Sequence, residues 1–200
     1  ANVSGTITTG SSPICYSGNP GVLTVTPGGG SGSYSYQWQK LSDATWSNIP
    51  GATSQTYSPG SLTTSTSYRC NVINSCGSNY TPQKDITVYA QLNGNSISGV
   101  SVFCKGASPG NLEAMPTGGT GSYSYLWYKN GSSTGVTTQT YSLNNLDATS
   151  SFYCVVTSGI CVTNTATKTV TVYNVSATVD VGVIYPVTIC YGGNPGIFGV

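Results

Sequence analysis

Gly32-Ser-Tyr-Ser-Tyr-Gln-Trp38 decides the fold, because it returns almost unchanged as Gly121-Ser-Tyr-Ser-Tyr-Leu-Trp127. Downstream of it, Gln55-Thr-Tyr57 returns as Gln139-Thr-Tyr141. A cysteine segment opens each copy and occurs three times, as Cys15-Tyr-Ser-Gly-Asn-Pro-Gly21, Cys104-Lys-Gly-Ala-Ser-Pro-Gly110 and Cys190-Tyr-Gly-Gly-Asn-Pro-Gly196. Repetition with a period of about 85 residues defines the folding unit and predicts a tandem array.

The repeats also set the predicted domain boundaries. We expect a first repeat over 1–89, a second over 90–174, and the first strands of a third over 175–200. A unit of about 85 residues is small but able to bury a core of its own. Because the third copy stops inside its predicted second strand, we expect the chain to be a segment of a longer polypeptide.

The composition of the chain argues against several classes of function. The chain has six basic and five acidic residues in 200, far fewer charges than the usual quarter or so. Nucleic-acid binding needs clustered Lys and Arg that displace counterions, so no nucleic-acid partner is expected. No apolar run approaches the roughly 20 residues of a membrane span, so no membrane insertion is expected either.

The sequence has few residues that could support catalysis or bind a metal ion. It has no histidine, and its five acids are dispersed as Asp43, Asp85, Glu113, Asp147 and Asp180. An acid/base pair needs two groups held close together, so we predict that the chain is not an enzyme and has no cofactor. Without histidine, a Cys-x-x-Cys motif or clustered carboxylates, no zinc or calcium site is predicted.

Each repeat reads as short alternating strands separated by turns, the pattern of a β-sandwich. Tyr68, Cys70 and Val72 alternate with polar neighbours, as do the residues that lead to Trp38. The order of a Trp strand, then an aromatic-x-Cys-x-Val strand, resembles the immunoglobulin fold, although Leu23 holds the usual cysteine position of strand B. We therefore predict an all-β chain of tandem immunoglobulin-like β-sandwich domains, the last one incomplete.

Seven cysteines recur at equivalent places, which predicts disulfides and an oxidising, extracytoplasmic location. Spacing alone leaves the pairing open. In repeat one we favour Cys15–Cys76, because strands A and G lie side by side in such sandwiches. Cys70 is then a buried free thiol that behaves as a small hydrophobe. The alternative pairing is Cys15–Cys70.

The same two schemes apply to repeat two. There the favoured bond is Cys104–Cys161, which leaves Cys154 as the buried free thiol. The alternative bond is Cys104–Cys154. Cys190 opens the third repeat, and we expect its partner to lie beyond residue 200.

Trp46 is the candidate ligand-binding residue. It lies in a segment that repeat two shortens, so the fold does not require a tryptophan there. An exposed tryptophan on a loop suits stacking on a sugar ring or on a protein partner. The other interpretation, which we favour, is that Trp46 covers the edge of the sheet in unit one.

Several motifs together resemble a known class of repeats: Ile-Cys-x-x-x-x-Pro-Gly, Gly-Ser-Tyr-Ser-Tyr-x-Trp, Ser47-Asn-Ile-Pro-Gly-Ala-Thr-Ser-Gln-Thr-Tyr57 and Ser67-Tyr-Arg69. They look like the immunoglobulin-like repeats of giant surface proteins of Bacteroidota, such as gliding-motility adhesins and other type IX secretion substrates. The resemblance implies a secreted, extracellular, cell-surface protein. It also implies one cysteine near the first strand and another after the last hairpin, which supports the favoured pairing.

Together these observations predict a non-catalytic structural and adhesive stalk segment of an adhesin or surface filament. Its expected partners are neighbouring domains of the same chain, a surface glycan or protein, and other copies through lateral or filament association. One alternative is a carbohydrate- or protein-binding module of a secreted multidomain protein. Another is a filament subunit that donates its terminal strand to a neighbour.

Overall fold

The computed structural model describes residues 2–174, which belong to two compact units divided between Gln91 and Leu92. Every regular element in this part of the chain is a β-strand. The predicted first strands of a third repeat, 175–200, lie outside the described residues. Each unit packs two sheets over its own core, so the chain is a tandem array of immunoglobulin-like β-sandwiches.

Unit one builds two sheets from its first eight strands. One sheet has the order β1-β2-β5, and the other has the order β4-β3-β6-β7, with β8 also paired to β6. The strands are β1 (Ser4–Ile7), β2 (Leu23–Gly28), β3 (Ser35–Ser42), β4 (Thr45–Asn48), β5 (Thr56–Tyr57), β6 (Thr66–Asn74), β7 (Gly77–Tyr80) and β8 (Lys84–Ile86).

Unit two repeats this plan with small changes. One sheet has the order β10-β12-β16, the other has the order β11-β19-β17-β14-β15 with β18 paired to β17, and β9 pairs β13. The strands are β9 (Ala90–Asn93), β10 (Ile97–Ser98), β11 (Val102–Cys104), β12 (Asn111–Ala114), β13 (Thr117–Gly119), β14 (Ser124–Lys129), β15 (Ser132–Ser133), β16 (Thr140–Ser142), β17 (Ser150–Ser158), β18 (Cys161–Asn164) and β19 (Lys168–Tyr173).

The residues that alternate between apolar and polar in the sequence also alternate between buried and more exposed positions in the strands. In β17, buried residues occupy every second position along all 9 residues. In β6, Tyr68, Cys70 and Val72 point inward, while the residues between them are only partly buried. Successive side chains of a strand point to opposite faces, so this period of two directs one face to the core and leaves the other for contact with solvent or ligands.

The repeated tryptophan is the centre of each core. Trp38 and Trp127 are both 0% exposed. Trp38 lies opposite Cys70 in the β3–β6 register, and its ring centroid is 5.7 Å from that of Tyr57. The equivalent aromatic contact in unit two joins Trp127 and Tyr141 at 5.6 Å. The predicted pairing of a buried tryptophan with the cysteine strand is therefore confirmed.

The last strand of each unit is interrupted, and a threonine bridges the gap. In unit one, Thr81 lies between β7 and β8, where its Oγ1 accepts a hydrogen bond of 3.0 Å from the backbone N–H of Cys70. The N–H of Thr81 donates to the Cys70 carbonyl at 2.9 Å. Thr165 makes both contacts with Cys154 in unit two. Both threonines are buried, so the hydroxyl supplies the acceptor that an unbroken ladder would have provided.

In each unit, the segment that leads into Cys15 or Cys104 runs beside the end of the unit, and the two run in the same direction. In unit two, β11 pairs β19 in parallel, with Cys104 opposite Tyr173. In unit one, an isolated parallel bridge joins Ile14 and Val88. This direction determines which residues of the two segments become neighbours. Within residues 2–174 no helix is long and apolar enough to cross a membrane.

Candidate functional site

The outward face of the β4-β3-β6-β7 sheet in unit one carries a connected group of side chains, which we call the arginine cluster: Gln39, Trp46, Asn48, Arg69 and Tyr80. The guanidinium carbon of Arg69 lies 4.4 Å from the ring centroid of Trp46 and 4.0 Å from that of Tyr80. Arg69 Nε donates to Gln39 Oε1 at 2.7 Å, and Gln39 Nε2 donates to Asn48 Oδ1 at 2.7 Å.

The cluster extends across four neighbouring strands, because β4, β3, β6 and β7 each contribute one or two residues. A cation between two aromatic rings is attracted by both ring faces, and each contact is worth roughly 0.5–1 kcal/mol when exposed. The bond to Gln39 fixes the plane of the Arg69 guanidinium. The result is a fixed positive charge flanked by aromatic rings, which suits a ligand that combines an apolar face with acceptor oxygens.

The structure places Trp46 on β4, the edge strand of this sheet, opposite Leu41. The side chain is partly buried, and one face of the ring is covered by Arg69. This position fits the interpretation that Trp46 covers the sheet edge. A role of Trp46 in ligand contact stays a prediction.

Unit two replaces the arginine cluster with an aromatic stack. Tyr128 and Tyr153 occupy the positions of Gln39 and Arg69, counted from the repeated tryptophan and from the cysteine of the long strand. They are opposite each other in the β14–β17 register. Their rings are stacked at 4.7 Å with an interplanar angle of 7°. The two units therefore share a core but present different chemistry on the same outward face.

Sequence reasoning found Trp46 but missed Gln39, Arg69 and Tyr80. The sequence did predict that Arg69 points outward, because it lies between the two inward residues Tyr68 and Cys70. Its neighbours on that face could not be predicted without the register of the strands. Only the pairing of β3 with β6 and of β6 with β7 brings Gln39 and Tyr80 to Arg69.

The predicted bond Cys15–Cys76 is wrong. Cys76 is a free, exposed thiol, whereas Cys15 is disulfide-bonded. The segment around Cys15 lies beside the end of unit one, as expected for strands A and G, but the two run in parallel, so Cys15 follows the bridge of Ile14 to Val88, beyond β8. Cys76 lies in the β6–β7 turn, one length of β6 away. That strand has 9 residues, or about 26 Å, whereas the Cα atoms of a disulfide are at most about 7 Å apart.

The register excludes the predicted bond Cys104–Cys161 in the same way. Cys161 pairs with Ser158 at one end of β17, whereas β19 pairs with the other end at Ser150. Cys104 lies beside Tyr173, beyond that second end. Both Cys104 and Cys161 are nevertheless disulfide-bonded. The predicted Cys190 bond lies outside the described residues.

Cys70 and Cys154 are buried free thiols, which confirms that part of the favoured scheme. The alternative bonds, Cys15–Cys70 and Cys104–Cys154, are therefore wrong. Each thiol lies among apolar side chains of its core, and burial favours the neutral form. Desolvation raises the pKa of Cys70 to about 11 and also raises the pKa of Cys154.

Cys76 has the opposite environment. Its Sγ lies 3.5 Å from Ser31 Oγ, and its backbone N–H donates to Asn74 Oδ1 at 2.8 Å. Hydrogen bonds from Ser31 and then Ser75 lower the pKa of Cys76 below the usual range of a thiol, because they stabilise the thiolate. The chain thus has one accessible, activated thiol among its described free cysteines.

These environments predict a large difference in thiol reactivity. Iodoacetamide at pH 7 should alkylate Cys76 rapidly in the folded chain, because the thiolate is the nucleophile. It should leave Cys70 and Cys154 unmodified until the chain is unfolded. Mass spectrometry of samples taken at successive times measures the rate at which each cysteine is alkylated. Alkylation of Cys70 at a rate similar to Cys76 would contradict the burial of the core thiols.

Two of the described acids accept hydrogen bonds in separate places. Asp85 accepts hydrogen bonds from Ser67 and Gln83, and Glu113 accepts one from Gln139. Over residues 2–174 no group of three or more His, Cys, Asp or Glu side chains is arranged to hold a metal ion. The chemically distinctive groups of this region are therefore the side chains on the outward faces and the cysteines.

A family model matches the chain twice, over residues 3–90 and 93–175, and is described as a domain of unknown function, DUF8696. The two matches cover most of the chain. No curated protein matches the sequence.

A comparison with solved structures also found matches to the chain. One, described as the structural basis for Dscam isoform specificity, has 18% identity and a TM-score of 0.40, and the match covers 86% of this chain and 46% of that one. Another, Sidekick-1 immunoglobulin domains 1–5, has 16% identity, a TM-score of 0.40, and coverage of 86% and 38%. The chain thus spans less than half of the length of these structures.

Proposed function

Because the chain belongs to the DUF8696 family, whose description assigns no function, we propose from its geometry that it is a non-catalytic stalk segment of a secreted cell-surface repeat protein. The observation that carries this proposal is that two copies preserve the same core while their outward faces differ. A spacer needs a folded core in every unit, and it needs no particular surface in each of them.

The parallel pairing of the segment around Cys15 or Cys104 with the end of its unit supports a role under tension. When a unit is pulled at its two ends, parallel neighbours move in opposite directions along their length, which loads their hydrogen bonds together in shear. In unit two these bonds run from the Lys105 N–H to the Tyr173 carbonyl at 2.9 Å and from the Thr171 N–H to the Ser101 carbonyl at 2.8 Å. In unit one, the Ile14 N–H donates to the Thr87 carbonyl and the Tyr89 N–H donates to the Ile14 carbonyl, both at 2.9 Å.

An extracellular location is supported by the disulfide-bonded cysteines, since disulfides persist in oxidising compartments. The formal net charge of +1 leaves little electrostatic repulsion between neighbouring copies, which favours lateral association of stalks. The finer proposal is an adhesin or surface filament of the gliding-motility or type IX secretion class. It rests on the repeat motifs, and purification of the parent polypeptide from a cell surface would test it.

Force spectroscopy tests the stalk proposal. Lys105→Pro removes the donor to Tyr173 and should lower the barrier to forced unfolding of unit two by about 1 kcal/mol, so that unfolding at a given force is about fivefold faster. Lys105→Ala is the matched control, because it loses the same side chain, including the ion pair with Asp147, but keeps the N–H. Equal unfolding forces for the two variants would show that this strand pair does not bear the load.

The arginine cluster favours a second candidate function, binding of a glycan or protein ligand by unit one. Aromatic rings beside a fixed guanidinium provide a stacking surface and donors for acceptor oxygens. On a glycan panel, binding should be lost in Trp46→Ala and retained in Tyr128→Ala, which alters the equivalent face of unit two. Absence of binding by the unaltered chain would count against this candidate.

A further inference from the structure

Arg69 carries a positive charge that no neighbouring carboxylate balances. Over residues 2–174, its guanidinium lies within ion-pair distance of no acidic side chain. Asp85 lies on β8, which pairs with β6, but its carboxylate accepts hydrogen bonds from Ser67 and Gln83 instead. Arg69 is partly buried, and charges in such a position are screened by salt less than fully exposed ones. Its charge is therefore free to attract an anionic ligand.

The contacts of Arg69 leave one edge of the guanidinium open. Trp46 and Tyr80 reach it from strands on opposite sides of β6, and their rings take the places that a stacked ligand would need. Nε donates to Gln39 Oε1, whereas the two terminal Nη groups donate to no described residue. These groups lie side by side in one plane, and such a fork matches the two oxygens of a carboxylate.

The surroundings of this edge favour a sugar over a peptide as the carrier of the carboxylate. Tyr80 is 44% exposed, so ring surface remains for the C–H face of a sugar to stack on. Asn48 is exposed, and its Oδ1 accepts the bond from Gln39 Nε2. That bond orients the amide, and the Asn48 Nδ2 group, which donates to no residue within 2–174, is left as a donor for a sugar hydroxyl.

We propose that the arginine cluster binds an acidic glycan, with Arg69 holding the carboxylate of a uronic acid through two parallel hydrogen bonds. Tyr80 and Trp46 contact the sugar ring, and Asn48 donates to a hydroxyl. This assignment rests on the second candidate function, ligand binding by unit one, and adds the class of ligand. Unit two has the Tyr128–Tyr153 stack in the equivalent positions and offers no cation there, so binding belongs to unit one.

Isothermal titration calorimetry with the unaltered chain tests the class of ligand. The probes are tetramers of galacturonic, mannuronic or glucuronic acid, each compared with the same tetramer after reduction of its carboxyl groups to alcohols. At least one uronate should bind, and its reduced form should bind at least about tenfold more weakly, because the charge-assisted hydrogen bonds are lost. Equal binding of the reduced form would overturn the carboxylate assignment and leave glycan binding itself intact. Binding of none of the three acids would overturn it as well.

A tetra-glutamate peptide separates the sugar from the carboxylate. It carries four side-chain carboxylates but has no sugar ring to stack on Tyr80 and no ring hydroxyls for Asn48. We expect it to bind more weakly than the bound uronate. A peptide affinity equal to that of the uronate, or higher, would overturn the assignment to a glycan.

Two variants that each remove one positive charge locate the site. Arg69→Gln should abolish binding of the uronate, whereas Lys129→Gln, on β14 of unit two, should leave it unchanged. Arg69→Lys keeps the charge but loses the planar fork, so it should weaken binding by about tenfold. Hydrogen exchange over residues 2–91 shows whether unit one stays folded in each variant. Equal losses in Arg69→Gln and Lys129→Gln would show that only the overall charge matters and would overturn the site. If Arg69→Gln unfolds, the unaltered chain with the acid and reduced tetramers still decides.

Discussion

Replacing Trp38 with alanine is expected to unfold unit one. The side chain is 0% exposed, and its removal leaves a large cavity, at a cost of about 3–5 kcal/mol. The change also leaves the Ser54 carbonyl without the indole Nε1–H, which donates to it at 2.9 Å. A domain of this size has a total stability of only about 5–10 kcal/mol, so most of it is lost.

Hydrogen exchange measured by mass spectrometry locates the effect. Trp38→Ala should remove amide protection over residues 2–91 and leave residues 92–174 protected. Trp127→Ala should do the reverse, because its indole is equally buried and donates to the Thr138 carbonyl at 2.9 Å. Trp46→Ala is the matched control at the surface and should cost less than about 1 kcal/mol. Loss of protection in both units from either core variant would mean that the units do not have independent cores.

Thr81→Val should cost about 1–3 kcal/mol, although it changes neither the size nor the branching of the side chain. The reason is that the Cys70 N–H loses its acceptor, the Thr81 hydroxyl, at a buried site, and an unsatisfied buried donor carries the full penalty of desolvation. Thr165→Val should destabilise unit two by a similar amount, because Thr165 accepts the equivalent bond from Cys154 at 2.9 Å.

Urea denaturation of each variant measures these costs. Thr81→Ser is the control, because it keeps the hydroxyl and loses only a methyl group. It should be more stable than Thr81→Val, even though valine is the more hydrophobic residue. If valine proves at least as stable as serine at this position, the hydroxyl does not act as a structural acceptor.

The strands and the core of this protein were predictable because they depend on local order in the sequence. Inward residues such as Tyr68, Cys70 and Val72 recur with the period of a strand, and a repeat shows the same pattern twice. Burial follows that pattern directly, since one face of each strand must leave water. The tryptophan opposite the cysteine strand was predictable for the same reason, through the resemblance to the immunoglobulin fold.

The candidate site was less predictable, because it combines residues from separate strands. Trp46 was found because it lies in a segment that repeat two shortens. Its partners Arg69 and Tyr80 become neighbours only through the register of β4, β3, β6 and β7. Thr81 was missed for a related reason. It accepts a hydrogen bond where the last strand is interrupted, and the alternation of residues did not predict that interruption.

By itself, the sequence determined the repeat, the all-β class, the two cores and the buried state of Cys70 and Cys154, all of which follow from periodicity and hydrophobicity. Only the tertiary structure decided the direction in which the segment before Cys15 or Cys104 runs along the end of its unit. That direction is a long-range property of sheet pairing and leaves no trace in local spacing. Because the two segments are parallel, Cys15 and Cys76 are about one strand length apart, and a bond that adjacency alone made reasonable cannot form.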